Sequence, residues 1–146
     1  MKDTPRSLKF FRVQTVAILV ALVLEFVLGM YTALFVQIPD TLADGNAWSW
    51  SMQQSPIIAA HVLLGSLLLL LGLSILGFGF ASRSRNAMIW SIAGFLLTGV
   101  AYLSGGAFLA NVSLDNYSFS MALGFLGSLL AYFAALYFTR PLDEDK

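Results

Sequence analysis

Four long apolar runs separated by short polar stretches make up most of the chain. They extend from about Val13 to Ile38, Ile57 to Ala81, Ala87 to Ala110 and Ser118 to Thr139. The first ends at Pro39-Asp40, the second follows Pro56, and the fourth stops at Pro141; proline removes a backbone donor and breaks a helix interior. Each run exceeds the ~18 residues at which a membrane span becomes the default reading. As a helix rising ~1.5 Å per residue, each crosses ~30 Å of hydrocarbon. Backbone groups in lipid must pair within their own segment, so isolated runs of this kind predict helices. The pattern therefore predicts an all-α membrane protein, with residues 1–146 forming a single four-helix transmembrane bundle.

Composition agrees. Of the 146 residues, 58% are hydrophobic and only 11% charged, against roughly a quarter charged in a soluble domain. That balance excludes a soluble enzyme, a disordered chain and a nucleic-acid binder, which would need a basic surface. With no cysteine, disulfides, thiolate metal sites and cysteine nucleophiles are excluded too.

The formal net charge is zero, yet its distribution is polarised. Lys2, Arg6, Lys9 and Arg12 precede the first run, Arg83 and Arg85 separate the second from the third, and Arg140 and Lys146 follow the fourth. All eight basic residues thus fall on one side, while the opposite loops carry Asp40, Asp44 and Asp115. The positive-inside rule predicts a multi-pass protein of the cell membrane with both termini cytoplasmic. The first run is far longer than a signal-peptide core, and Thr41-Leu42-Ala43 is a poor cleavage site, so it reads as a retained span. In the polar loop from Pro39 to Pro56, Trp48 and Trp50 read as interfacial anchors on a short amphipathic segment. The Asp143-Glu144-Asp145 tail reads as a solvated end.

Small residues recur at helical spacing: Gly65, Gly72 and Gly79; Ser91, Gly94, Thr98, Ala101 and Gly105; Ser120, Gly124, Gly127, Ala131 and Ala135. Close backbone approach over such residues drives helix association in lipid, and bundle packing accounts for nearly all of them. The adjacent pair Gly105-Gly106 predicts a kink or a close neighbour. Leu64-Gly65-Ser66-Leu67-Leu68 reappears as Leu126-Gly127-Ser128-Leu129-Leu130, and Gly29 can be matched with Gly99. Two tandem hairpins would produce this repeat, and so would chance in apolar helices. No phosphate-loop pattern is present.

Apart from tyrosines, Glu25 and His61 are the two ionisable residues inside the runs, and such residues default to functional candidates. Helical rise puts Glu25 about 18 Å and His61 about 6 Å below the outer boundary, a separation that makes them two separate features. Glu25 shares a face with Gly29, Thr32 and Ala33. Its structural reading is a neutral carboxyl bonded to a backbone carbonyl, Thr98 or Tyr102; its functional reading is a proton-carrying or cation-binding group. Contact with a partner subunit is a third. His61 begins the stripe His61-Gly65-Leu68-Gly72. An imidazole followed four residues later by glycine can ligate haem iron and leave space for the porphyrin. Met121, at similar depth, supplies a candidate second axial ligand. The plainer readings are an interfacial histidine, a packing methionine, or a histidine in a proton relay or quinone site. One histidine cannot hold two bis-histidine haems.

The basic N-terminus, Leu24-Glu25-Phe26-Val27-Leu28-Gly29, the polar outer loop and Ala59-Ala60-His61-Val62-Leu63-Leu64-Gly65 together resemble one four-helix half of the haem A synthase family. The resemblance implies a four-helix bundle, dimeric assembly and haem bound at His61. The sequence departs from the family at several positions. Ile58 stands where the family has its catalytic glutamate, and Val62 stands where it has arginine. Ser120-Met121-Ala122 replaces the second histidine region, and the outer-loop cysteines are missing. These departures argue against haem A synthesis itself. Haem propionates would also lack cationic partners on the outer side, leaving Asn46, Trp48, Trp50 or backbone donors.

Three functions stay open: a haem-binding or redox-associated protein using His61 and Met121; a small proton-coupled carrier using Glu25; and a non-catalytic accessory or assembly subunit of a larger membrane complex. The lipid bilayer is the one partner the sequence implies directly, with a homodimer or a larger complex as further candidates. No hydrolase triad, paired-carboxylate site or metal cluster marks the chain as an enzyme.

Overall fold

A computed structural model of the chain describes residues 6–39, 42, 47–110 and 115–139. The described residues form helices and no strand: α1 (Arg6–Phe35), α2 (Trp48–Gln54), α3 (Pro56–Ala81), α4 (Arg85–Ala110) and α5 (Asp115–Phe138). Four of the five, all but α2, are long and apolar enough to cross a membrane. Several sequence expectations concern residues outside the described ones: Lys2, Asp40, Asp44, Asn46, Arg140, Lys146, the loop at Ser113 and the acidic tail.

Local chemistry sets the helix ends. α1 begins before its apolar run and stops at Phe35, three residues short of the hydropathy boundary. Pro39 keeps the residue before it out of helical conformation, and the last α-type bond runs from Val36 N–H to the Thr32 carbonyl at 3.1 Å. α3 starts with Pro56 in its first turn, where a missing N–H costs nothing. Ser55 caps it by accepting from Ile58 N–H. Between α3 and α4 the chain turns through Arg83 at φ 54°. Ser84 Oγ then accepts from Ala87 N–H.

α1, α3, α4 and α5 form an up-down-up-down ring, each packed on the next and α5 closing back onto α1. Their buried positions follow a four-three-four spacing: Phe11, Thr15, Ile18 and Leu22 on α1; Leu68, Gly72, Ile75 and Gly79 on α3; Ala87, Ser91, Gly94 and Thr98 on α4. That is the seam of a coiled-coil-like bundle. The buried hydroxyls bond to their own helices, as Thr15 does to the Phe11 carbonyl and Thr98 to that of Gly94, each at 2.8 Å. Such bonds satisfy a hydroxyl where water is absent. Large apolar side chains such as Val20, Val27, Leu70, Leu103 and Phe133 face outward, the surface a bilayer solvates.

The end of the ring away from Arg83 carries α2. Ala47, Ile58 and Leu109 form a small core there, and Ala47 N–H donates to the Leu109 carbonyl at 2.7 Å. Trp48 packs against α4: a Cβ built on Gly106 would lie 3.4 Å from its ring. The Gly105-Gly106 pair therefore marks a close neighbour. The matched glycines of the sequence repeat sit in unlike surroundings, Gly29 against His61 and Gly99 with nothing within 4 Å.

Glycine is required where α5 meets α4. A Cβ on Gly124 would lie 2.7 Å from Ala101 N and 2.9 Å from the Leu97 carbonyl, which are backbone atoms that cannot swing aside. We expect Gly124→Ala to lower stability by about 1–3 kcal/mol through overpacking. Gly99→Ala meets open space and should gain about 0.5–1 kcal/mol from helix propensity. Thermal denaturation of the two variants in detergent checks both signs.

Candidate functional site

The α1–α3 seam continues past its apolar half into polar positions. On α1 it runs from Leu22 through Glu25 and Gly29 to Thr32, and on α3 from Leu68 through Gly65 and His61 to Ile58. The helices are antiparallel, so each large side chain faces the other helix's glycine. A Cβ on Gly65 would lie 3.0 Å from Glu25 Oε1, and one on Gly29 would lie 3.2 Å from His61 Cε1. Two glycines, each four residues from a polar group on its own helix, make the space in which those groups meet.

They do meet. His61 Nδ1 lies 3.0 Å from Glu25 Oε1, with the side chains 20% and 13% exposed. The contact lacks the alignment of a hydrogen bond, and Nδ1 and Glu25 Oε2 are both buried without one among the described residues. Their meeting corrects the reading of Glu25 and His61 as separate features. Val36 to Ile38 were counted as helix, which overstated the depth of Glu25 by about 4.5 Å. The observed register, with Glu25 at Gly65 and His61 at Gly29, gives a four-residue offset of about 6 Å, which the glutamate chain and the imidazole bridge.

The partners expected for Glu25 bond elsewhere. Thr98 donates to the Gly94 carbonyl at 2.8 Å, and Tyr102 Oη shares a 3.0 Å hydrogen bond with Ser66 Oγ. Tyr102 stays close, its ring edge 3.6 Å from a Cβ on Gly65. Ser66 is the member of this group that sequence reasoning missed; a serine beside a glycine stripe carries no distinctive signal.

Glu25 and His61 open onto a cavity of about 370 Å³ in the α2 half of the ring, within the size range of small-molecule sites. Leu22, Leu68, Thr98 and Ser128 line its deeper part, Tyr102 and Phe125 its sides, and Trp48 and Leu109 its α2 end. Below it the bundle is filled by Ile18, Ile75 and Tyr132. Met121 also lines the cavity, with its sulfur 3.1 Å from a Cβ on Gly105. All three site residues picked from sequence thus share one cavity.

Haem fits this cavity only in part. A carboxylate beside one imidazole nitrogen orients many metal-ligating histidines, and Glu25 stands in that place. The space beside Gly65 expected to admit a porphyrin is instead taken by Glu25 Oε1 and the Tyr102 ring. Among the described residues no lysine or arginine lines the cavity to meet propionates. Among the described residues no group of three or more His, Cys, Asp or Glu could hold a metal ion. No protein-family model, curated protein or solved structure matches the chain.

Removing one member of a buried pair strands the other. We expect Glu25→Leu and His61→Leu each to destabilise more than additivity with the double variant allows. The coupling should be about 1–3 kcal/mol. A double-mutant cycle on thermal denaturation measures it, and additive effects would show that the two groups do not interact.

Proposed function

We propose that this is an integral membrane protein that binds a small, largely apolar molecule in the α2 half of its bundle, at the Glu25–His61 pair. One observation carries the reading: two ionisable side chains 3.0 Å apart border an internal cavity of about 370 Å³ whose other walls are mostly apolar. An intramembrane ionisable group is costly, and bundle packing alone would be served as well by leucine at both positions.

Haem ligation through His61 is the narrower form of this reading, and the resemblance to haem A synthase half-bundles points the same way. The carboxylate beside Nδ1 favours it; the filled space at Gly65 and the missing cations oppose it. Native mass spectrometry and visible absorbance of the protein purified from its membrane are the test. We expect an apolar adduct and no Soret band, with the adduct lost in Gly105→Leu, which extends the cavity wall beside Met121. A Soret band that vanishes in His61→Ala would replace this reading with haem. An adduct unchanged in Gly105→Leu would move the bound molecule out of the cavity.

The polarised charge supports a multi-pass arrangement in the cell membrane with both termini cytoplasmic and the cavity in the outer half of the bilayer. The absence of native cysteine allows a direct check. A membrane-impermeant maleimide should label Asp44→Cys in intact cells and Asp145→Cys only after lysis.

A further inference from the structure

We infer that the molecule bound in the cavity is a single-chain membrane lipid with an uncharged head, taken sideways from the bilayer between α1 and α5. The inference rests on the cavity being a ligand site, and it adds the ligand's chemical class and its route.

Contacts close three of the seams around the cavity. His61 lies against Gly29 where α1 meets α3, and Gly124 fits against the Ala101 backbone where α4 meets α5. Ser66 and Tyr102 share a 3.0 Å hydrogen bond where α3 meets α4, and α2 packs over those two helices. The fourth seam, between α1 and α5, is closed at depth by the Phe26 and Phe125 rings, stacked with centroids 5.6 Å apart. Seven residues from these rings towards α2, in the same antiparallel register, stand Ala33 and Ser118. Both are small, both line the cavity and both are exposed, whereas every other lining residue is buried or half-buried. The mouth of the cavity therefore lies between them. Exposed Met30, Leu34 and Phe119 flank it, so it opens on the surface that lipid chains cover.

Depth selects the class of ligand. Ala33 and Ser118 stand two and three residues from the α2-side ends of their helices, about 3–5 Å by helical rise. A 26-residue helix such as α3 exceeds ~30 Å of hydrocarbon by about 4–5 Å at each end. The mouth is thus level with the boundary between headgroups and chains. Below it the cavity descends to Leu22 and Leu68, alongside the chains of the same leaflet. A lipid can pass its chain through the mouth while its head stays in the wet interface, so no polar head is carried into hydrocarbon. His61, five residues into α3, lies about 8 Å below the same end, level with the linkage between head and chain. Glu25 Oε2 is buried, which withholds it from the chain. At about 370 Å³ the cavity is at the lower end of small-molecule sites, which suits one chain rather than two. The connections at this end carry Asp40, Asp44 and Asp115, and no Lys or Arg occurs between residues 13 and 82 or between 86 and 139. An anionic head would meet like charge there.

The test is native mass spectrometry of the intact protein released from phosphatidylcholine nanodiscs doped with 1-monooleoylglycerol, oleate or menthol. We expect one monooleoylglycerol per chain, retained at least about tenfold more than oleate. Because the chain has no cysteine, Ala33→Cys combined with Ser118→Cys can bar the mouth with a reversible disulfide. Oxidised before doping, this double variant should lose at least about tenfold in monooleoylglycerol binding and regain it on reduction. Ala33→Trp, which fills the mouth without a disulfide, should show the same loss. Size-exclusion profiles establish that the variants are folded; if they are not, the lipid preference of the wild type decides alone. Binding unchanged in the oxidised pair or, where the disulfide does not form, in Ala33→Trp would overturn the lateral route. Equal retention of oleate would overturn the uncharged head, and retention of phosphatidylcholine instead would overturn the single chain. Menthol bound without monooleoylglycerol would overturn the lipid assignment and leave the cavity reading standing. Failure of the wild type to bind any of them would overturn the assignment together with the cavity reading on which it rests.

Discussion

The meeting of Glu25 with His61 depends on a reciprocal fit between α1 and α3. Each polar side chain lies over a glycine of the opposite helix, Glu25 Oε1 near Gly65 and the imidazole near Gly29. Take away either glycine and a methyl group competes for the space the other helix's side chain occupies. The two contacts share one antiparallel register, Glu25 level with Gly65 and Gly29 level with His61. A polar pair placed on a seam in this way is costly, because each member is desolvated and only partly compensated by the other. The nearby hydroxyls of Thr98 and Tyr102 do not offset that cost, since they bond to Gly94 and Ser66.

The bundle divides into two halves of different character. Towards the Arg83 end, the interior is packed with Phe11, Ile18, Ile75 and Tyr132, and Gly72 and Gly94 make room for aromatic side chains. Gly94 is the clearest case, with Tyr132 ring atoms 2.7 Å from where its Cβ would be. Towards α2 the same helices leave a cavity, because the seam positions become Gly29, Gly65 and Gly105 and no large core residue fills the centre. The packed half holds the helices in register, so the open half can keep a cavity without collapsing. α2 adds to this by laying Trp48 against Gly106 at the cavity's end.

Much of the fold was legible in the chain. Run length and apolar content specify four helices because lipid permits no other unpaired structure, and prolines and serines set their ends. The three residues singled out for chemistry, Glu25, His61 and Met121, stood out because ionisable or soft groups in apolar runs are rare. The relation between them was less legible. Hydropathy does not distinguish a helical residue from an extended apolar one, so Val36 to Ile38 displaced Glu25 along its axis. A glycine stripe likewise reads the same whether it faces a leucine, a carboxylate or nothing, as Gly127, Gly65 and Gly99 do.

The amino-acid pattern by itself therefore determined the number of spans, their approximate limits and the polarity of charge between the two ends. Each of these follows from summed properties of contiguous residues. Only the tertiary structure decided that Glu25 and His61 meet, that Thr98 and Tyr102 bond elsewhere, and that Trp48 turns toward the bundle. Those outcomes depend on which face of one helix meets which face of another, and on contacts between residues as far apart in the chain as Trp48 and Gly106. No local window of sequence contains them.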